Sequence, residues 1–436
     1  MNQSAPKIVS FQTVGCRLNQ YETERMAARL RPYGFRRAKG REPADLYIIN
    51  TCTVTHRAAS DCRYLVRRAA RENPKGRIVV VGCYVEHEPD RLAAMDEVDV
   101  LIDNSEKDAI ADILAQKLPD LFNRELDKSC STELTDFHER NRAWIKISDG
   151  CNQRCSFCIV AIVRGVLKNR PAGEIIDEII NLVDSGYREV VLTGVNMGYY
   201  KDESAKRPVK NIAELCRLIV SETDLYRVRL SSIEPQTVTD ELVDMFATSN
   251  GRICRHFHLP LQSGSLPILK LMRRPYGPET YLKKVATLKE AAPDTIIGAD
   301  VIVGFPGETD EDFQLTRQLC ESGSIDYLHV FSYSDRPGTT AAEMNGKLNP
   351  NVIKERNTIL THISNELRFK SHQCQVGKTL EFIAEHKRTA EGFHWGISDN
   401  YLRVKLPNGT NSGKDIVRVK ITAAYEDHMK GDLVVS

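Results

Sequence analysis

Residues 144–158 read Trp144-Ile145-Lys146-Ile147-Ser148-Asp149-Gly150-Cys151-Asn152-Gln153-Arg154-Cys155-Ser156-Phe157-Cys158. A short apolar run of strand length ends in an Asp-Gly turn and opens at once into three cysteines spaced CxxxCxxC. Spacings this short let one loop wrap a single iron–sulfur cluster with three thiolates, and a cubane held by three ligands keeps one iron open, as a catalytic metal must be. A zinc knuckle would need a further Cys or His close by, and none lies between Asn141 and Arg170.

Downstream of this strand the chain alternates between strand and helix. Strand candidates fall around residues 143–148, 189–193, 226–230, 255–259, 295–303 and 327–332. This series of βα units predicts an open, partial (βα)6 barrel, whose working residues collect at the C-terminal ends of the strands. Upstream, Ile8–Phe11, Leu46–Ile49, Arg77–Val81 and Val98–Ile102 alternate with helical patterns near residues 21–30, 57–71 and 108–118, which predicts a separate parallel α/β domain. Residues 119–140 are polar and irregular, like a linker. After a helical stretch ending near His372, short strands at 378–384, 393–398, 401–405, 415–423 and 433–435 predict a small all-β, OB-like module. The fold class is therefore α/β, with expected domains at 6–120, 137–369 and 370–436.

The chain has 436 residues, of which 41% are hydrophobic and 27% charged, as in a globular protein of two or three domains. The first residues lack the basic and apolar regions of a signal peptide, and no stretch reaches the ~18 apolar residues of a membrane span, so a cytoplasmic location without membrane contact is expected. Twelve cysteines in that compartment point to metal ligation rather than disulfides. Net charge is only +1, so any nucleic-acid contact has to come from local patches.

A second cysteine set is dispersed in sequence and equivalent in place. Cys16, Cys52 and Cys83 each follow one of the N-terminal strand runs, so parallel neighbouring strands bring them to one crevice, where they can hold a second cluster. Cys62, Cys130, Cys216, Cys254, Cys320 and Cys374 share no placement and read as ordinary small buried residues. Arg63, Arg67, Arg68 and Arg71 recur at helical spacing and form a basic ridge beside the Cys52 strand. In the β module, Phe393, Trp395 and Tyr401 are candidates for stacking on bases, with core packing as the alternative. That module holds nine Lys or Arg against eight Asp or Glu from Ser371 onward, so charge alone does not mark it as RNA-binding.

The CxxxCxxC loop on the first strand of a βα series resembles the signature of the radical S-adenosylmethionine (SAM) superfamily. Its pairing with three N-terminal cysteines and a terminal β module resembles the methylthiotransferase family, with its C-terminal TRAM domain. Further matching stretches are Arg227 to Pro235, His258 to Ser265, Val303 to Glu308 and Phe331 to Ser334. Gly15 to Glu24, Asn50 to His56 and Leu192 to Asn196 resemble the branch that acts on N6-threonylcarbamoyladenosine at tRNA position 37. The competing expectations are the same reaction on isopentenyladenosine and, in another class, a non-catalytic RNA-binding iron–sulfur sensor.

The resemblance implies two [4Fe-4S] clusters, held by Cys151, Cys155 and Cys158 and by Cys16, Cys52 and Cys83. It implies SAM as methyl donor and radical source, with Thr193, Gly194, Glu234, Gln262, Asp300 and Gly304 as strand-end candidates for binding it. Expected partners are the tRNA anticodon stem-loop and an electron donor such as a flavodoxin or ferredoxin system, with the enzyme a monomer.

Overall fold

The computed structural model describes residues 6–123, 126, 127, 129–204, 208–389, 391–406, 410 and 413–434. The chain divides into two units: residues 1–135 with 150–152 and 158–166, and residues 136–149 with 153–157 and 167–436. Among the described residues, no helix is long and apolar enough to cross a membrane.

In the first unit, β1 (Lys7–Thr13), β2 (Phe35–Arg37), β3 (Leu46–Thr51), β4 (Arg77–Gly82) and β5 (Val100–Ile102) form a parallel sheet in the order β2-β1-β3-β4-β5. The central strands are apolar at successive positions because both faces are covered. Ile48, Val79 and Val81 pack with Leu30, Ile110 and Leu114 on one face, while Tyr47, Ile49 and Val80 meet Ala59, Cys62 and Val66 on the other. The last three lie on helix His56–Glu72, which starts where the Thr55 hydroxyl accepts a hydrogen bond from the Ala58 N–H. Strand order reverses beside β1, with β2 on one side and β3 on the other, and such a switch opens a crevice at the C-terminal strand ends. The edge strand β2 was not legible in the sequence, since three residues carry no readable period.

In the second unit, β6 (Ala143–Lys146) leads into the antiparallel pair β7 (Ser148–Asp149) and β8 (Lys168–Asn169). β9 (Glu189–Thr193), β10 (Arg227–Leu230), β11 (His256–His258), β12 (Ile296–Val303) and β13 (Tyr327–Ser332) follow, each reached through a helix. Parallel ladders join β6-β9-β10 and β11-β12-β13, and the bridges Val228–Ile253 and Ser232–His258 link the two sets. No ladder among the described residues closes β13 onto β6, so this is the expected open barrel.

The chain ends in a closed barrel of β14 (Thr379–Arg388), β15 (His394–Ser398), β16 (Arg403–Lys405), β17 (Ile416–Ala424) and β18 (Met429–Leu433), in the order β14-β15-β16-β18-β17. Its core holds Phe382, Val404, Leu406, Val419, Ile421 and Met429. The final strand, expected at 433–435, instead begins at Met429, whose side chain is fully buried in that core; Val435 lies outside the described residues.

This small barrel is anchored at the N-terminal ends of the larger barrel's strands. Arg227 and Arg229 grip buried Glu189 at 2.6 and 2.8 Å and donate onward to the carbonyls of Ile397, Ser398 and Asp399. Arg255 pairs with Asp399 at 2.7 Å. Burial alone would raise the Glu189 pKa, but Arg229, Arg227 and Arg142 more than reverse this and hold it far below the usual carboxylate range.

Candidate active site

The crevice of the first unit is built from the strand ends upward. Cys16 follows β1, Cys52 follows β3 and Cys83 follows β4, and these three strands are consecutive neighbours in the sheet. Gly15, at φ +104°, makes the approach possible: a Cβ there would lie 2.7 Å from Cys52 Cβ and 3.0 Å from its Sγ. Asn19 ties the strand ends together, its amide donating to the carbonyls of Val14 and Thr51. Burial pushes the Cys52 thiol up to about 11, with the neighbouring Cys16 and Cys83 adding to the rise and the Val54 backbone and Arg164 opposing it.

Residues 158–166 belong to this same unit. Ile159 and Val163 pack on Cys83, and the Arg164 guanidinium reaches Glu22 at 2.9 Å and the Asn19 side-chain oxygen at 2.6 Å. Lys107 approaches Glu22 at 2.6 Å, so this buried carboxylate is shared by two cations. None of this network was legible in the sequence, because its members are 85 to 145 residues apart.

In the second unit, the segment around Cys155 is fastened to the C-terminus of helix Leu266–Leu271. The Ser156 N–H donates to Met272 O at 3.1 Å and its hydroxyl to Leu271 O at 2.7 Å, satisfying carbonyls that the helix leaves open. Phe157 packs against Ile268, Met272, Phe305 and Ala341. Cys155 Sγ accepts a hydrogen bond from the Arg274 guanidinium at 3.1 Å, and the same guanidinium pairs with Glu234. Cys151, Cys155 and Cys158 are all half-buried.

The sequence-derived SAM candidates occupy several environments. Thr193 is buried at the end of β9, and Gly194 is pressed so closely on Ser148 that a Cβ would lie 2.3 Å from its hydroxyl. Gln262 sits at φ +66°, its N–H bonded to Asp300 O at 2.8 Å. Asp300 lies between His258 at 2.9 Å and His329 at 3.4 Å; desolvation raises its pKa, but the two imidazoles outweigh that and keep the carboxyl well below its ordinary range. Glu234 shows the opposite balance, since burial raises it and Arg274 does not fully offset the rise. Gly304, at φ +78°, is covered by Ile353, whose Cγ1 would be 2.5 Å from an added Cβ.

The RNA candidates are likewise divided. Arg67 and Arg71 are exposed on helix His56–Glu72, whereas Arg63 donates to Tyr84 OH at 2.5 Å and Arg68 pairs with Glu72 at 2.9 Å. Trp395 is half-buried with Arg403 3.8 Å from its ring centroid, and Phe393 is buried under Lys405 at 3.7 Å. Tyr401 turns inward and stacks on His256, ring centroids 4.4 Å apart, with the Arg229 guanidinium 5.2 Å from its ring centroid, so it serves the joint between the two barrels. Cys62, Cys216, Cys254 and Cys320 are buried thiols pushed up to about 12, as apolar packing requires.

An iron–sulfur cluster needs thiolates at a site that can stabilise their charge. The donor sets have the right chemistry: three cysteines follow neighbouring strand ends, where burial keeps the Cys52 thiol protonated until a bound metal displaces its proton, and half-buried Cys155 faces a guanidinium. An open six-stranded barrel with CxxxCxxC after its first strand defines a radical SAM protein, and residues 145–320 match the family model described as Radical SAM superfamily. Residues 8–103 match the model of Uncharacterized protein family UPF0004. The chain is 36% identical to the Threonylcarbamoyladenosine tRNA methylthiotransferase MtaB of Bacillus subtilis (strain 168), covering 98% of this chain and 96% of that protein. It is 34% identical to the protein of the same name from Aquifex aeolicus (strain VF5), over 95% of this chain and 100% of that one. A tRNA-2-methylthio-N(6)-dimethylallyladenosine synthase from Thermodesulfovibrio yellowstonii is 32% identical over 98% and 99% of the two chains. The radical SAM methyltransferase TsrM of Kitasatospora setae shares the fold at a TM-score of 0.56 and 14% identity, covering 77% of this chain and 75% of that one. This chain belongs to the MtaB family of radical SAM methylthiotransferases. Membership of the superfamily implies a [4Fe-4S] cluster and SAM.

Proposed function

We propose that this chain converts N6-threonylcarbamoyladenosine at position 37 of tRNA to its 2-methylthio derivative. The observation that carries the reading is the coexistence of two cysteine sets at strand ends, Cys151/Cys155/Cys158 and Cys16/Cys52/Cys83, in a chain that matches MtaB relatives over its whole length. Carbon 2 of adenine carries a C–H bond of no useful acidity, so acid–base groups cannot activate it. A cluster held by Cys151, Cys155 and Cys158 supplies reductive cleavage of SAM, which makes that bond accessible to radical chemistry.

The chain's own residues bind and orient. Cys16, Cys52 and Cys83 would hold a second cluster from which the sulfur is delivered. Thr193, Gly194, Glu234, Gln262, Asp300 and Gly304, in or beyond the C-terminal halves of the barrel strands, would be the groups that bind SAM. Arg67 and Arg71 would meet phosphates of the anticodon stem-loop, and Trp395 with Arg403 would offer a stacking surface for a splayed base. Domain limits of 6–120, 137–369 and 370–436, a monomeric cytoplasmic enzyme, and a flavodoxin or ferredoxin as reductant complete the proposal.

The test is anaerobic reconstitution followed by mass analysis of nucleosides from tRNA bearing threonylcarbamoyladenosine, incubated with SAM and reductant. A 2-methylthio product supports the proposal. 5'-Deoxyadenosine without that product rejects the substrate, and a product only on tRNA bearing isopentenyladenosine reassigns it. Clusters that bind RNA but never cleave SAM would make the protein a sensor.

A further inference from the structure

Helix Leu266–Leu271 ends in an uncommon way. Its C-cap is Met272, and Arg273 takes the left-handed position at φ +57° that glycine usually fills. The Arg273 N–H donates to Lys270 O at 3.0 Å and the Arg274 N–H to Leu269 O at 2.8 Å, which is the paired pattern of a Schellman turn. A left-handed non-glycine residue is strained, and such strain persists where the surroundings over-determine it. Here it turns the chain so that Arg274 points inward, 8% exposed, into a pocket of fixed partners.

Those partners settle the direction of the guanidinium. Nη2 pairs with Glu234, Nε donates to Tyr276 OH at 3.1 Å, and Nη1 donates to Cys155 Sγ at 3.1 Å. Tyr276 OH is itself anchored on Pro260 O at 2.5 Å. Ser156 fixes the opposite side through its two bonds to the carbonyls of Leu271 and Met272. Cys155 and Arg274 are thus held in register by the same helix terminus.

We propose that Arg274 is a positioning residue for the barrel cluster, which holds the Cys155 sulfur as a thiolate ligand by a charge-assisted hydrogen bond and raises that cluster's reduction potential. The inference rests on the reading that Cys155 ligates a cluster. One electron taken up there adds negative charge beside a fixed, buried cation, and a nearby positive charge and hydrogen bonds to sulfur both favour the reduced form. Glu234 acts in the opposite sense, offsetting part of the Arg274 charge.

The experiment is an EPR-monitored redox titration of the full-length chain carrying C16A, C52A and C83A, so that only the barrel cluster contributes. At a fixed solution potential, R274Q should lower the reduced-to-oxidised ratio about tenfold, or ~59 mV for a one-electron couple. R274K should recover most of the loss, and E234Q should move the ratio the other way. If R274Q does not retain iron, the upward shift of E234Q decides. Unchanged potentials in R274Q and E234Q, or an unchanged potential with weakened SAM binding in R274Q, would overturn the inference. A C155A chain that keeps its iron and still cleaves SAM would instead overturn the underlying cluster assignment.

Discussion

Glu189, fully buried, and Glu234, partly buried, both face arginines in the same open barrel, yet the protein treats them in opposite ways. Glu189, at the N-terminal ends of the strands, meets three guanidiniums, two of which are tied onward to backbone carbonyls of the small barrel. Its charge is overcompensated and its pKa falls. Glu234, beyond the C-terminal end of β10, has a single guanidinium that it shares with Cys155, so burial dominates and its pKa rises. One end of the barrel uses charge to lock two modules together. The other end leaves charge incompletely matched, which is where ligand chemistry can act on it.

This contrast can be broken by substitutions at either end. The largest effect is expected at the cysteines: C151A, C155A or C158A should abolish both 5'-deoxyadenosine and methylthio product while the denaturation midpoint of the metal-free chain barely moves. C16A, C52A or C83A should abolish the methylthio product and leave SAM cleavage measurable. Loss of folding in these variants would show that the C-terminal strand ends are structural as well.

At the other end, E189Q leaves Arg227 and Arg229 buried without their anion. A cost of about 3–5 kcal/mol is expected in urea unfolding, and SAM cleavage per folded molecule should be retained. A cost below about 1 kcal/mol would remove the distinction between the two ends.

Acid should act in the same place. Because the folded-state pKa of Glu189 lies below its unfolded value, its stabilisation is complete above the ordinary carboxylate range and is lost as pH falls. Asp399, lowered against its burial by Arg255, adds to the same slope. Thermal stability of wild type should therefore decline between about pH 4 and pH 2, and E189Q should show a shallower decline.

The smallest effect is expected at Thr309, which caps helix Asp310–Glu321 in a reciprocal box with Asp312 on the C-terminal side of β12. T309A should cost about 1 kcal/mol, visible as a modest midpoint shift with little change in catalysis.

Much of the architecture could be read from the sequence because its signals are local. Six strand runs, the CxxxCxxC loop and the repeated appearance of a cysteine just after a β run are properties of contiguous residues. The placement of Cys16, Cys52 and Cys83 just after three neighbouring strands was legible as well, since parallel order alone brings equivalent strand ends together. Failures followed from the same rule: β2 was too short to show a period, and the last strand was displaced to Met429 by a core that several strands define jointly.

What the sequence by itself determined was therefore the class of fold and the strand ends that the cysteines follow. Only the tertiary structure decided the fate of the charges. Nothing local distinguishes Arg274, aimed at a sulfur 119 residues away, from its neighbour Arg273. Nor does it tell Tyr401, packed into the joint between two barrels, from an outward stacking residue. A buried charge is tolerated only where its partner arrives from elsewhere in the chain, and the cost of burying it and the attraction that offsets that cost are both fixed when the chain packs.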